Sequence, residues 1–435
     1  MAASSQKAEG QSPLMATPIS AIDPSEVEIG PGDDRVAVLL MGYGEVESYA
    51  DFANYNEQAL NLLTAKFAPV PQWVYPPLAK LLAAFDLHEW SHQHGQFISP
   101  HNAIFERQRS GIEQALQQRW GDRVSVFKAF NFCRPHLPEQ VLAEIRDRGF
   151  SKLLIYPLLV VDSIFTSGIA IEQVNRALSQ LTDGDTHWVR SMRYLPSFYD
   201  QASYIQLLAK LVSEKIDRDW RSHFLPSQIG IVLLNHGCPH EAKGFVSGIA
   251  ESQALYESVR RELITRYPLI SIGWLNHDTP MIDWTQPNAQ LAARNLIELG
   301  AKAILMAPIG FATENHETLL DVDHIFLALQ RQYPEVVYQQ LPCVNDHPEF
   351  LTMAADWVDP LITELLAETS AVIHFAGFDR SSLDSEHHHH QSHSHDHSHD
   401  HSHDHGDNHS HDHGGNHSHH HGHSHDHAHH QHSHH

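Results

Sequence analysis

VAVLLMGYG, residues 36–44, is an unbroken apolar run that ends in a glycine-containing loop. Apolar side chains at successive positions face both sides of a pleated strand. The run therefore reads as a strand buried on both faces of a parallel sheet. The residues that follow keep to that scheme. HNAIFERQRSGIEQALQQ (101–118) has a helical apolar period, and RVSVFKAFNF (123–132) reads as a strand. PEQVLAEIRDRG (138–149) reads as a helix closed by Gly149, and KLLIYPLLVV (152–161) as another buried strand. The pattern then starts again. SQIGIVLLNHG (227–237), ISIGWLN (270–276) and KAILMAPIGF (302–311) are strands running into loops, and 251–267 and 288–300 are the helices between them. Such alternation predicts an α/β fold of two similar doubly wound parallel-sheet lobes with a cleft between them. The lobes are expected at 34–220 and 221–380. Ligands of such sheets sit beyond the carboxyl ends of the strands. The strand exits at Tyr43, 131–134, 162–166, His236, 276–278 and 311–317 are therefore the places to look for chemistry.

Both ends of the chain differ from this core. Residues 1–33 are small, polar and punctuated by Pro and Gly, and 381–435 are almost entirely His, Asp, Ser and Gly. Such segments bury too little apolar surface to offset the entropy of ordering, so disorder is expected at both. Residues 60–97, rich in Leu, Trp, Phe and Pro, break the alternation. They suit either a lip facing a membrane edge or a helical hairpin packed on the first lobe.

The formal charge is −25 with only 28 Lys+Arg, which argues against a nucleic-acid partner. Cys133, Cys238 and Cys343 are far apart in sequence and odd in number, so neither a disulfide framework nor an iron–sulfur centre is expected. There is no secretory signal pattern and no apolar run long enough to span a bilayer, which points to a cytoplasmic protein with at most peripheral membrane contact. The sequence leaves monomer and dimer equally open.

Two places concentrate titratable groups. His236 stands at the exit of IVLLNHG, where a lone histidine serves either as a structural hydrogen-bonder or as a base. PIGFATENHETLLDVDH (308–324) brings Glu314, His316, Glu317, Asp321, Asp323 and His324 together after a strand. Glu317, Asp321 and His324 are spaced i, i+4, i+7 and would share one helical face, which suits a cation path or simply a solvated acidic helix start.

Taken in order and spacing, LLMGYG, ISP, NHGCP and PIGFATENHETLLDVD resemble the ferrochelatase family. YLPSFYDQASYI (194–205) and GWLNHDTPMIDWTQP (273–287) add to the likeness, which runs over about 35–365. The resemblance implies a lyase that inserts a divalent metal, Fe²⁺ by default, into a tetrapyrrole held in the cleft. It implies that His236 is the general base and a metal ligand, that Glu317 faces it, and that Asp321 continues an acidic relay. Tyr43, Arg134, Asp162, Asn276 and Trp284 are the positions it implies for contact with the ring. The chain departs from the family's pattern around the pocket. Leu234-Asn235 precede the histidine where Ser-Ala is usual, and Leu275-Asn276 replace Gln-Ser. Arg134-Pro135 stands where His-Pro is common, Asp162 adds a carboxylate, and Ile325 replaces an acid.

The last 49 residues, 387–435, hold 26 of the 40 histidines, mostly in His-Asp-His-Ser repeats such as His393, His395, His397 and His399. Mixed imidazole and carboxylate donors suit Co²⁺, Ni²⁺, Zn²⁺ or Cu²⁺, so this segment is expected to buffer or deliver metal. Cobalt, nickel or zinc insertion into a porphyrin or corrin precursor is the alternative reaction. A non-catalytic metal- or tetrapyrrole-binding protein is the alternative of another class.

Overall fold

The computed structural model describes residues 34–64, 71–92, 97–181, 188–239, 247–277, 283–368 and 372–373. The expectations for 1–33, for Asp278 and for the tail 381–435 lie outside the described residues. Val36–Gly42 (β1) is buried at all seven positions. Val124–Phe130 (β2) and Lys152–Pro157 (β3) flank it in parallel, with Val36 opposite both Val124 and Lys152. Ser191–Tyr194 (β4) extends the sheet beyond β3. The second sheet is built from Ile229–His236 (β5), Leu269–Leu275 (β6), Ala303–Pro308 (β7) and Val337–Gln340 (β8), in the order β6-β5-β7-β8 and again all parallel. The fold class read from the sequence is what is found.

The two faces of each central strand go to different cores. On β1, Val36, Val38 and Leu40 join one cluster, while Ala37, Leu39 and Met41 pack against Val141, Leu142 and Ile145 of the helix Pro138–Asp147. On β5, Ile229, Ile231 and Leu233 belong to the same cluster as Val36, and Val232 and Leu234 pack on Ala292 and Leu296 of the helix Ala289–Glu298. One apolar cluster is thus common to both sheets. The helices His101–Trp120, Ala202–Asp219 and Pro348–Ala367 fill it.

The lobe boundary needs correcting at its second end. The sequence pattern assigned all of 221–380 to the second lobe. In the structure the helix Pro348–Ala367 packs on His101–Trp120 and Ala202–Asp219. Val372–Ile373 (β9) then pairs with β4, making the first sheet five-stranded in the order β2-β1-β3-β4-β9. The cause is the apolar face of that helix. Phe350, Ala354, Val358, Ile362 and Leu365 are fully buried, and they find their partners on first-lobe elements.

Of the two expectations for 60–97 the structure describes a helical pair, and it begins before that segment. Phe52–Ala59 and Tyr75–His92 form a packed helical pair, joined after the first helix by a π-helical turn over Leu60–Thr64. The second helix still exposes Leu81 and Phe85, spaced i, i+4, at 68% and 65%, with Trp73 before it at 77%. No helix among the described residues is long and apolar enough to cross a membrane.

Phe350 is fully buried against Phe198, Tyr204 and Trp357. Truncating it in Phe350→Ala should cost about 3–5 kcal/mol, read from the guanidinium midpoint at unchanged m. A loss below about 1 kcal/mol would mean that the terminal helix is not part of the shared core.

Candidate active site

His236 is the last residue of β5, and His277 lies two residues beyond the end of β6. The strands are neighbours, with His236 opposite Leu275, so both imidazoles emerge at the same sheet edge. The chain turns there under tight constraint. Gly237 N–H donates to the Leu275 carbonyl at 2.7 Å. A Cβ on residue 237 would fall 1.7 Å from Asn276 Oδ1, so only glycine fits. Asn276 Nδ2 donates to the Thr285 carbonyl at 2.9 Å, and Thr285 Oγ1 receives the Cys238 N–H at 3.2 Å. These bonds fasten the loop carrying Trp284 to the ends of β5 and β6.

The facing group comes from β7. After Pro308–Ala312 the chain enters a π-helical turn, Glu317–Asp321, which opens the helix Val322–Gln332. A π-turn inserted at a helix start is a common mark of a functional position. Glu317 begins it and is 7% exposed. Its Oε1 lies 3.4 Å from His236 Nε2 and 3.8 Å from His277 Nε2. Its other oxygen, Oε2, is buried with no hydrogen-bond partner. Among the described residues, His236, His277 and Glu317 are the group whose donor atoms all fall within 4.8 Å of one another. Two imidazoles and a carboxylate form a borderline donor set suited to Fe²⁺, Co²⁺, Ni²⁺ or Zn²⁺.

The charges are arranged to keep Glu317 ionised. Burial opposes its anion, but His236, His277 and His316 hold its carboxyl far below the usual range. Burial likewise opposes the His236 imidazolium, and Glu317 outweighs it, raising that group. His316 is a second buried imidazole. Burial again opposes its charge, and Glu45 raises it to about 10. Burial and then the carboxylates of Glu317 and Glu45 push the Tyr43 phenol well up, so it stays neutral.

Two cavities meet at this cluster. The first, about 660 Å³, is lined from one lobe by Leu158, Val160 and Phe165 and from the other by His236, Trp284 and Phe311. The second, about 830 Å³, includes Asp321, His324, Leu82 and Phe85. Tyr43, His277 and Glu317 border both. Asn235 is fully buried beside His236, and neither end of its amide has a partner. Trp284 Nε1 is also buried without one. Both residues line the first cavity.

The ferrochelatase family profile matches residues 35–361. The chain belongs to the ferrochelatase family. Ferrochelatase from Synechococcus elongatus is 27% identical over 342 residues, covering 76% of this chain and 83% of that one. Ferrochelatase from Rippkaea orientalis is 26% identical over 349 residues, covering 78% and 86%. Among solved structures, the sirohydrochlorin chelatase SirB from Bacillus subtilis subspecies spizizenii, in complex with cobalt, aligns with a TM-score of 0.44 at 9% identity, covering 78% of this chain and 100% of that one.

The residues singled out from the ferrochelatase resemblance divide into those the fold gathers and those it does not. His236, Glu317, Tyr43 and Trp284 all line the first cavity. Asp321 and His324 lie with Glu317 along the second cavity, so the expected shared face exists, though Asp321 stands outside the three-donor cluster. Asn276 also faces the second cavity, where its amide is occupied with Thr285. Arg134 is exposed and lines neither cavity, because the turn after β2 folds back with His136 O accepting from Phe130 N–H. Asp162 lies between two cavity residues, Val161 and Ser163, but its carboxylate accepts from Ser197 N–H at 3.4 Å. His277 and Glu45 were not singled out. The strand-exit rule reaches 276–278, and among the described residues there it is His277 that the fold sets beside Glu317.

In protein lacking 381–435, whose imidazoles would otherwise take up the metal, His277→Ala should weaken Co²⁺ binding at least tenfold, about 1.4 kcal/mol, in a titration followed by visible absorbance. Arg134→Ala should leave it unchanged. Equal affinity in both variants would remove His277 from the donor set.

Proposed function

We propose that this chain inserts a divalent metal ion, Fe²⁺ in the first instance, into a porphyrin, with release of two protons. The observation that carries the reading is the placement of His236, His277 and Glu317 in the wall of a largely apolar cavity formed by both lobes. A flat macrocycle is held by burial between Leu158, Val160 and Phe165 on one side and Trp284 and Phe311 on the other. The reaction breaks two pyrrole N–H bonds and forms bonds from the four ring nitrogens to the metal. The metal ion arrives on exchangeable imidazole and carboxylate donors. In its neutral form, His236 is placed to take a pyrrole proton as general base, and Glu317 balances the charge that develops.

The cavity also speaks to the choice of ring. Among its described lining residues there is no Lys or Arg, while Asp283 and Glu317 are both acids. A ring carrying many carboxylates would meet two acids and no guanidinium or ammonium group among those residues. A porphyrin with few carboxylates buries its apolar body and keeps the acids at the mouth. This supports a porphyrin over a polycarboxylated corrin precursor. The residues 381–435 are proposed as a store or delivery arm for the metal substrate, on their content of imidazole and carboxylate donors.

His236→Ala and Glu317→Gln should each lower the anaerobic rate of Fe²⁺ insertion by roughly 10²–10⁴-fold, while porphyrin binding, read by fluorescence quenching, survives. Porphyrin binding with no insertion by the unmodified protein under any of Fe²⁺, Co²⁺, Ni²⁺ or Zn²⁺ would replace the enzyme reading with a binding role. Removing 381–435 should leave the rate at saturating metal intact and lower it at scarce metal. Equal loss under both conditions would exclude a delivery role.

A further inference from the structure

We infer that Glu45 is a positioning residue for metal insertion: from the first lobe it clamps His316 and thereby fixes Glu317 between His236 and His277. The inference rests on the metal-insertion reading above. Glu45 follows the exit of β1 and is 2% exposed. Its main chain is held on both sides by one amide. Glu45 N–H donates to Asn102 Oδ1 at 3.0 Å, and Asn102 Nδ2 donates to the Glu45 carbonyl at 2.7 Å. The Ser99 hydroxyl donates to its carboxylate. First-lobe residues therefore set the direction of this carboxylate. The carboxylate's other hydrogen bonds cross to a residue 271 positions away. His316 N–H donates to Glu45 Oε2 at 3.1 Å, and His316 Nδ1 contacts Oε1.

His316 is the residue before Glu317 and caps the π-helical turn that Glu317 opens. Holding both its backbone N–H and its ring leaves that turn little freedom to rotate. Glu45 itself lies outside the three-donor cluster and lines the second cavity rather than the first, so it does not touch a ring held in the first and acts on the donors through His316. Outer groups that orient a ligand typically matter by one to two orders of magnitude. A buried acid is an expensive way to join two lobes when apolar contacts would serve. Its direction toward the neighbour of Glu317 gives it a geometric purpose.

The test uses the full-length protein with Co²⁺ as the probe, its band read as the difference spectrum against Glu317→Gln so that the contribution of 381–435 cancels. Glu45→Ala should lower kcat for insertion roughly 10- to 100-fold, leave porphyrin affinity unchanged, and alter the visible Co²⁺ band. Glu45→Gln, which retains an acceptor oxygen, should recover part of the rate. His316→Ala, which removes the ring contact and keeps the backbone one, should lower kcat in the same direction. An unchanged Co²⁺ band and rate in folded Glu45→Ala would overturn the inference. If Glu45→Ala does not fold, Glu45→Gln and His316→Ala decide the matter by the same readouts. If the unmodified protein binds Co²⁺ but inserts no metal, the enzyme reading fails, while the Co²⁺ band still tests the clamp.

Discussion

A carboxylate buried as deeply as Glu317 stays ionised only where positive or polarisable partners surround it. The structure supplies three imidazoles for this one group, from His236, His277 and His316. Two of them come from the ends of neighbouring parallel strands and the third from the turn that carries Glu317 itself. Parallel strands deliver their carboxyl ends to a single edge, and that edge is where the charges gather. Since Glu317 Oε2 has no protein partner, the cluster is electrostatically compensated and still open to coordination. The order His316, Glu45, Ser99 then carries the arrangement across to the first lobe, so that the site and the joint between the lobes are parts of one polar network.

Much of this was legible in the sequence. The apolar strands, the Gly-closed helices and the strand-exit rule placed His236 and Glu317 without coordinates. The spacing of Glu317, Asp321 and His324 indicated a common face, and that face exists although the turn beneath it is π- rather than α-helical. What the sequence did not reveal depends on three-dimensional commitments. Asn276 and His277 look equally available in a string of letters. Only the bond from Asn276 to Thr285 and the approach of His277 to Glu317 tell their places apart. Arg134 and Asp162 sit at strand exits too, but a fold-back turn and the Ser197 amide draw them away from the cavity. Glu45 could not be recognised because its partner is 271 residues distant.

The helical pair at 52–92 is unusual in facing two ways. Leu82 and Phe85 border the second cavity, yet Leu81 and much of Phe85 are open to solvent. The same segment therefore forms part of the wall around the donor cluster and part of the protein's outer apolar surface, and the density of Leu, Trp and Phe that broke the strand–helix alternation serves both.

The return of Pro348–Ala367 and β9 to the first sheet bears on how the molecule is made. A ribosome releases the first lobe's four leading strands long before the helix that completes their core. Until Phe350, Val358 and Ile362 emerge, the groove between His101–Trp120 and Ala202–Asp219 lacks its apolar filling. The first lobe is thus the earlier to be synthesised and the later to be finished, and the two lobes become stable together. Early termination anywhere in the second lobe would leave the first with an open core.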